Sequence, residues 1–148
     1  MMNKQGLDQQ IVEKLKLKCS KPKLNDWKRV TKLESEQKGE TKIAMVGKYT
    51  ELVDSYKSVN EALIHAGIHN KTNVKIEHID SERFNKGVEN LEADGILIPG
   101  GFGNRGVKGM LNVAKFAREN NIPYFGICLG MQVAVIELSL IHISEPTR

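Results

Sequence analysis

The pentapeptide Gly126-Ile127-Cys128-Leu129-Gly130 constrains the fold of this chain more than any other feature. It joins an apolar stretch from Tyr124 to Ile127, which reads as a strand, to a run from Leu129 to Leu138 that reads as the start of a helix. A side chain at the centre of such a junction sits on a sharp, strained turn. Strand and helix can approach there only if the residues two positions to either side are tiny, and both are glycine. The pattern is the thiol counterpart of a nucleophile elbow. A helix beginning directly after Cys128 points unpaired N–H groups and the positive end of its dipole at the sulfur, which favours thiolate over thiol. The N–H of Leu129 is then placed to donate to an oxyanion. By itself, G-x-C-x-G fits a small buried core cysteine as well as a nucleophile. The strand before it and the helix after it favour the nucleophile.

The chain upstream of this junction alternates strand and helix patterns from Thr41 to Glu137. Lys42 to Gly47 reads as a buried strand. Asp54 is placed to cap a helix running to about Ala66, with Val59, Leu63 and Ala66 at helical spacing and Gly67 as its stop. Asn73 to Ile79 alternates Val74, Ile76 and His78 against Asn73, Lys75 and Glu77, as a half-buried strand does. A weaker helical pattern covers Ser81 to Leu91, interrupted by Gly87. Gly95 to Pro99 is an apolar strand, and Val107 to Asn120 an amphipathic helix with Val107, Met110, Leu111, Ala114 and Ala117 inward. The expected fold is α/β: a mostly parallel, flavodoxin-like sheet with helices on both faces. Ligands of such sheets bind beyond the carboxyl ends of the strands, where this chain places two glycine-rich turns.

One turn is the elbow. The other is Pro99-Gly100-Gly101-Phe102-Gly103-Asn104-Arg105-Gly106, directly after a strand. Such a loop lets backbone amides approach a substrate closely; it also fits a flexible connection or an anion-binding nest. It is not a phosphate-binding P-loop, because the Gly-Lys-Ser/Thr ending is missing. Gly47-Lys48-Tyr49 lacks both an upstream glycine and a hydroxyl residue, so a phosphate role there has little support.

Residues 1–40 differ from the rest. They are polar, with too few apolar residues for a core, and read as a connector carrying short helices over Gln9 to Leu17 and Leu24 to Leu33. Much of the charge excess, 22 Lys+Arg against 18 Asp+Glu, lies here, at Lys14, Lys16, Lys18, Lys21, Lys23, Lys28, Arg29 and Lys32. These cations are interleaved with leucines and lack an aromatic platform, so a solvated surface is expected and no nucleic-acid partner. No apolar run approaches the ~20 residues needed to span a bilayer. Cys19 and Cys128 lie far apart in unlike contexts, which fits a reducing, cytoplasmic compartment and no disulfide framework.

The two glycine-rich turns together carry a resemblance. Ile98-Pro99-Gly100-Gly101-Phe102-Gly103, followed by Ile122 through Gln132, resembles the triad-type (class I) glutamine amidotransferases. Val46-Gly47-Lys48-Tyr49, Tyr56-Lys57-Ser58-Val59, Glu61-Ala62-Leu63, Phe102 through Val107, Ala117 through Pro123 and Met131 through Ile136 are similar to the CTP synthase family in particular. Lys4 through Asp8 and Trp27 resemble the end of that family's synthase domain and its linker. The resemblance implies that Cys128 attacks the side-chain amide of glutamine. It implies an oxyanion site from the N–H groups of Leu129 and the Gly100–Gly101 turn, with Gly101 and Leu129, Gly130, Met131 and Gln132 lining the glutamine site and Phe102 covering it. In the family, released ammonia passes to a synthase domain that uses ATP and Mg to convert UTP to CTP, with GTP as effector; Arg105 and Lys57 are cationic candidates for its phosphates. No metal and no cofactor is expected in this part, no membrane partner, and a homo-oligomer is expected for the parent enzyme.

The family's base and orienter form a His-x-Glu pair downstream of the nucleophile. Here His65, His69 and His78 precede Cys128, and His142 is followed two residues later by Ser144 rather than glutamate. Residues 139–148, Ser139 to Arg148, do not resemble the family's continuation and look like a translated sequencing adapter. The expected organisation is therefore residues 1–40 as linker and synthase-domain end, 41–138 as the first part of the amidotransferase domain, and 139–148 as a non-native tail, the whole being a piece of a longer CTP synthase and inactive alone. Ile141 and Ile143 are β-branched and Pro146 blocks helix continuation, so the helix begun at Leu129 is expected to be cut short; with later elements of the family's sheet missing, Val133 and Ile136 are expected to be exposed. Two other readings are a non-catalytic module of the same fold and a triad-type amidotransferase making a different product.

Overall fold

A computed structural model of the chain describes residues 2–50 and 54–144. Residues 1–32 and 33–148 form separate compact units. The first holds a 3-10 turn at Met2–Gln5 and helix α1 (Leu7–Lys14), followed by the larger part of α2 (Asn25–Ser35); neither helix buries a residue. That is how a segment without a core sequence should behave.

The second unit is the sheet. Its strands are β1 (Glu40–Gly47), β2 (Asn73–Asp80), β3 (Gly95–Ile98) and β4 (Tyr124–Gly126), in the order β2-β1-β3-β4 and all parallel. The register runs Glu40 opposite Asn73 through Gly47 opposite Asp80, Ile43 opposite Gly95, and Ile96 opposite Tyr124. Helices α3 (Lys57–Asn70), α4 (Val107–Glu119) and α5 (Leu129–Ser144) complete it. Alternate residues of the central strands feed two cores. Ala44, Val46, Ile96 and Ile98 pack with Met110, Val113, Ala114 and Ala117 of α4 and Val133 of α5. Met45 and Leu97 pack on the opposite face with Tyr56 and, less deeply, Val59 and Leu63 of α3. Burial on both faces explains why β3 and the Ile43 to Gly47 part of β1 read as unbroken apolar runs rather than alternating ones. Each valine, isoleucine, leucine or methionine among them contributes about 1.5–3 kcal/mol when removed from water. The expected parallel sheet covered on both faces is what the chain forms.

Several boundaries differ from expectation. α3 starts at Lys57, not at Asp54, whose backbone carbonyl merely accepts from the Lys57 N–H at 3.3 Å. The start is set instead by Tyr56, which is buried and whose hydroxyl accepts from the N–H groups of Lys48 and Tyr49 at 3.1 and 3.2 Å. Gly67 does not stop the helix; it lies inside it, and Lys71 makes the left-handed cap at φ 57°. A Cβ on Gly67 would sit 2.7 Å from the Thr72 carbonyl, so glycine there allows the helix to fold back on its own strand. Ala66 is exposed. His78 is exposed as well, and the buried residue of β2 is Ile79. The pattern over Ser81 to Leu91 yields only a 3-10 turn, Ser81–Phe84. α5 is not cut short but continues to Ser144, and Val133 is fully buried while Ile136 is indeed exposed. Pro146 lies outside the described residues. Among the described residues no helix is long and apolar enough to cross a membrane.

Candidate functional site

β1 and β3 are adjacent in the sheet while their connections run to opposite sides, so a crevice opens beyond their carboxyl ends. Three turns meet around it: Lys48 after β1, the glycine-rich loop after β3 and Cys128 after β4.

Cys128 occupies the left-handed region at φ 52°. That conformation costs a side chain roughly 1–2 kcal/mol, so the surroundings must impose it. A Cβ on Gly126 would lie 2.6 Å from the Met131 nitrogen and overlap the Gly130 carbonyl, and one on Gly130 would overlap the carbonyl of Ile98. The two glycines therefore let the first turn of α5 settle directly on the ends of β3 and β4. Hydrogen bonds fix the arrangement. The Ile127 N–H donates to Ile98 at 2.9 Å, the Gly130 N–H to Ile127 at 2.9 Å, and the Gln132 N–H to the Cys128 carbonyl at 3.1 Å. The Tyr124 hydroxyl donates to the Gly130 carbonyl at 2.7 Å, and burial pushes that phenol up to about 12. The N–H of Leu129, first in the helix, has no backbone acceptor among the described residues. Cys128 is exposed, as is Cys19.

The glycine-rich loop lies against this elbow. A Cβ on Gly100 would be 3.6 Å from Cys128 Cβ, and one on Gly101 would be 3.4 Å from Leu129 Cδ2 and 3.4 Å from Lys48 Cδ. Gly101 thus sits between the Leu129 side chain and the Lys48 stem. Lys48 is only 3% exposed; its Nζ donates to the carbonyls of Phe102, at 3.1 Å, and Gly103. Burial lowers the Lys48 ammonium from its usual value, and Arg105 nearby adds to the effect. Arg105 itself donates to the Lys48 carbonyl and to Glu82, at 3.2 Å for the latter.

Of the residues expected at the site, Cys128, Gly101, Leu129 and Gly130 come together here. Gly130 is buried under the elbow, while Met131 and Gln132 are exposed on the first turn of α5. Phe102 does not cover the site: its side chain is 87% exposed. Arg105 is engaged with protein partners, and Lys57 is exposed at the first position of α3. Lys48, Tyr56 and Tyr124 were missed as site residues. Only Lys48 left a signal in the sequence, a lysine directly after the apolar run Ile43 to Gly47 that ends β1. Among the described residues no three His, Cys, Asp or Glu side chains gather as a metal site.

Comparison with known proteins agrees with this geometry. The family described as "Glutamine amidotransferase class-I" matches residues 51–145, well over half of the chain. The glutaminase domain of CTP synthase from Trypanosoma brucei, solved with acivicin bound, is 48% identical with a TM-score of 0.60. The match covers 67% of this chain and 40% of that one, so this chain spans less than half of the neighbour's length.

Proposed function

Because the chain belongs to the class-I glutamine amidotransferase family, we propose that it is the nucleophile-bearing part of a CTP synthase glutaminase domain. The observation that carries the reading is Cys128, held at φ 52° between Gly126 and Gly130 with the Gly100–Gly101 turn against it. The identity to the Trypanosoma brucei glutaminase domain supports the finer assignment.

In this mechanism the Cys128 thiolate adds to the side-chain amide carbon of glutamine. The N–H groups of Leu129 and Gly101 take the tetrahedral oxyanion, where such donors contribute most because charge develops there. Collapse breaks the C–N bond, the nitrogen gains a proton and leaves as ammonia, and a glutamyl thioester remains on Cys128. Water then adds to the thioester, releasing glutamate and restoring the thiol. Gly130, Met131 and Gln132 shape the first turn that faces the substrate. Mobile proton transfer needs a base. His65 and His69 lie on α3 and His78 on β2, the sheet edge opposite β4, and this reading assigns the base to a longer parent chain. In that parent the ammonia serves CTP formation from UTP and ATP with Mg, GTP acts as effector, the enzyme is cytoplasmic and homo-oligomeric, and the fragment alone is inactive. Residues 1–40, 41–138 and 139–148 serve as linker, amidotransferase part and non-native tail.

The test is glutamate release from glutamine by the parent-length protein and by its Cys128→Ala variant, with CTP formation measured from glutamine and from free ammonia. Expected is loss of glutamine-dependent activity in Cys128→Ala with ammonia-dependent CTP formation retained. Glutamine hydrolysis that survives Cys128→Ala would overturn the nucleophile assignment, and absence of CTP formation from either nitrogen source would overturn the CTP synthase assignment alone.

A further inference from the structure

Lysine is among the residues least often fully buried, because its ammonium loses its hydration shell. Lys48 is nevertheless nearly inaccessible. Every polar group it owns is committed. Its N–H donates to the Tyr56 hydroxyl at 3.1 Å, its carbonyl accepts from Arg105, and its ammonium donates to the carbonyls of Phe102 and Gly103. The partners of the ammonium are backbone groups of the loop after β3, fifty-four and fifty-five residues away in sequence. A group that is nearly buried, meets no carboxylate among the described residues, and reaches across the crevice to two consecutive carbonyls is dictating the path of that loop. The loop is rich in glycine and has little conformational preference of its own; Gly103 takes φ 73°. Where two consecutive carbonyls are held, the peptide units carrying them cannot rotate, and the units just before, at Gly100 and Gly101, are held in turn. Those are the units that lie against Cys128 and Leu129.

We infer that Lys48 is a positioning residue of the amidotransferase site: its ammonium, bound to the carbonyls of Phe102 and Gly103, holds the Gly100–Gly103 turn in the shape that presents the Gly101 N–H toward the oxyanion formed at Cys128. The inference rests on the proposed nucleophile and oxyanion roles. It extends them to a residue that acts through the loop. The Lys48 stem contributes as well, since Gly101 is packed between it and Leu129.

An experiment on the 148-residue chain separates the two ideas without requiring glutamine turnover. Two reagents are used on the same thiols. In 4-nitrophenyl acetate the thiolate adds to a carbonyl carbon, an oxyanion forms, and 4-nitrophenolate leaves as the thioacetate is made. In iodoacetamide the thiolate displaces iodide directly and no oxyanion forms. The ratio of acylation to alkylation rate, read by acid-quenched peptide mass spectrometry, cancels the thiolate fraction of each cysteine. Cys19, outside the sheet unit, is the internal reference.

In the wild-type chain the ratio at Cys128 should exceed that at Cys19 by about tenfold or more, as expected when oxyanion donors are in place. Lys48→Met keeps a long apolar stem and removes the ammonium. It should bring the Cys128 ratio to within about threefold of Cys19, with the iodoacetamide rate changed less than about twofold. A merely structural role would lower both rates together or neither. Equal ratios at both cysteines in the wild type would remove the oxyanion site and with it the reading beneath this inference. A raised wild-type ratio that Lys48→Met leaves unchanged would overturn the positioning role and leave the nucleophile assignment standing. Should Lys48→Met lose its folded circular-dichroism signal, Lys48→Arg decides, since it keeps a charged head with several donors. A ratio within about threefold of wild type supports the role, and a fall to the Cys19 value in folded protein overturns it.

Discussion

Gly130→Ala sets two effects of known sign against each other at the elbow. Gly130 is the second residue of α5, where alanine would ordinarily stabilise the helix by about 1 kcal/mol. The added methyl, however, would overlap the Ile98 carbonyl oxygen and stand 2.9 Å from its carbon and 3.0 Å from Ile98 Cβ. These neighbours cannot give way cheaply. Ile98 is fully buried, ends β3, and its carbonyl already accepts from the Ile127 N–H at 2.9 Å. Relief requires α5 to back off the sheet, taking Val133 partly out of the core and losing the Tyr124 hydrogen bond to Gly130. Overpacking of this kind costs about 1–3 kcal/mol, and backbone contacts belong at its upper end. The balance is a net loss of about 1–2 kcal/mol, or a Tm lower by roughly 3–10 °C for a unit of this size. The assay is a thermal melt of wild type and variant followed by far-ultraviolet circular dichroism, with Cys128 acylation measured on the same samples. Acylation should fall along with Tm. An unchanged or higher Tm, the result expected from helix propensity alone, would refute the close approach of α5 to β3.

Cys128→Gly should raise Tm by a degree or more, because glycine adopts φ 52° without the left-handed penalty of ~1–2 kcal/mol, while Cys128→Ala keeps the strain and should not; equal melting temperatures would show the turn to be relaxed. Arg118→Met should destabilise the chain by about 1–3 kcal/mol, since it strips a bidentate partner from the buried Glu137 carboxylate that joins α5 to α4, and Arg118→Met/Glu137→Met should recover most of that loss in urea unfolding. The folded phenol of Tyr124, at about 12, lies above its usual 10.0, so the folded state keeps a proton that the unfolded chain sheds. The corresponding stability, on the order of 1–2 kcal/mol after solvent screening, is present below pH 10 and lost as pH rises toward 12; urea midpoints at the two ends should diverge less in Tyr124→Phe than in wild type. The 148-residue chain should release no glutamate from glutamine; release abolished by Cys128→Ala would reveal a base among its own residues.

The sheet was legible because its central strands are buried on both faces and must be apolar throughout, as Ile43 to Val46 and Ile96 to Ile98 are. The elbow was legible because close packing allows only glycine at positions 126 and 130. Boundaries set by tertiary contacts were not. Tyr56 starts α3 through hydrogen bonds to residues before it, a role that Asp54 seemed better suited to fill. Gly67 looked like a terminator but serves the packing of α3 on Thr72 and Val74. Ile141 and Ile143 do not end α5, since β-branched residues cost a helix only tenths of a kcal/mol once it is nucleated. Lys48 carried too little local pattern to reveal its partners, which lie in a loop on the far side of α3, β2 and β3 in the sequence.

The placement of the histidines divides the chemistry of the site into two parts with different physical requirements. A nucleophile needs a rigid, local device, and the turn between β4 and α5 has that form. A base needs only to reach the thiol, and it can come from anywhere the fold brings alongside. His65, His69 and His78 lie on elements away from the elbow. His65 and His69 ride on α3, which packs against the opposite face of the sheet from α4 and α5, and His78 lies on β2, two strands from β3 and three from β4. His142 follows Cys128 on the same helix, but thirteen residues past Leu129 at 1.5 Å each put its backbone about 20 Å from the turn. A helix dipole at the thiol contributes only about 0.3–1 kcal/mol in typical settings, whereas loss of a triad member costs on the order of 10⁴-fold or more in rate in well-studied proteases. The first effect cannot offset the second. On the reading proposed above, Cys128 attacks a carbonyl and holds an acyl group, and turnover needs a base that neither α3 nor β2 brings to it.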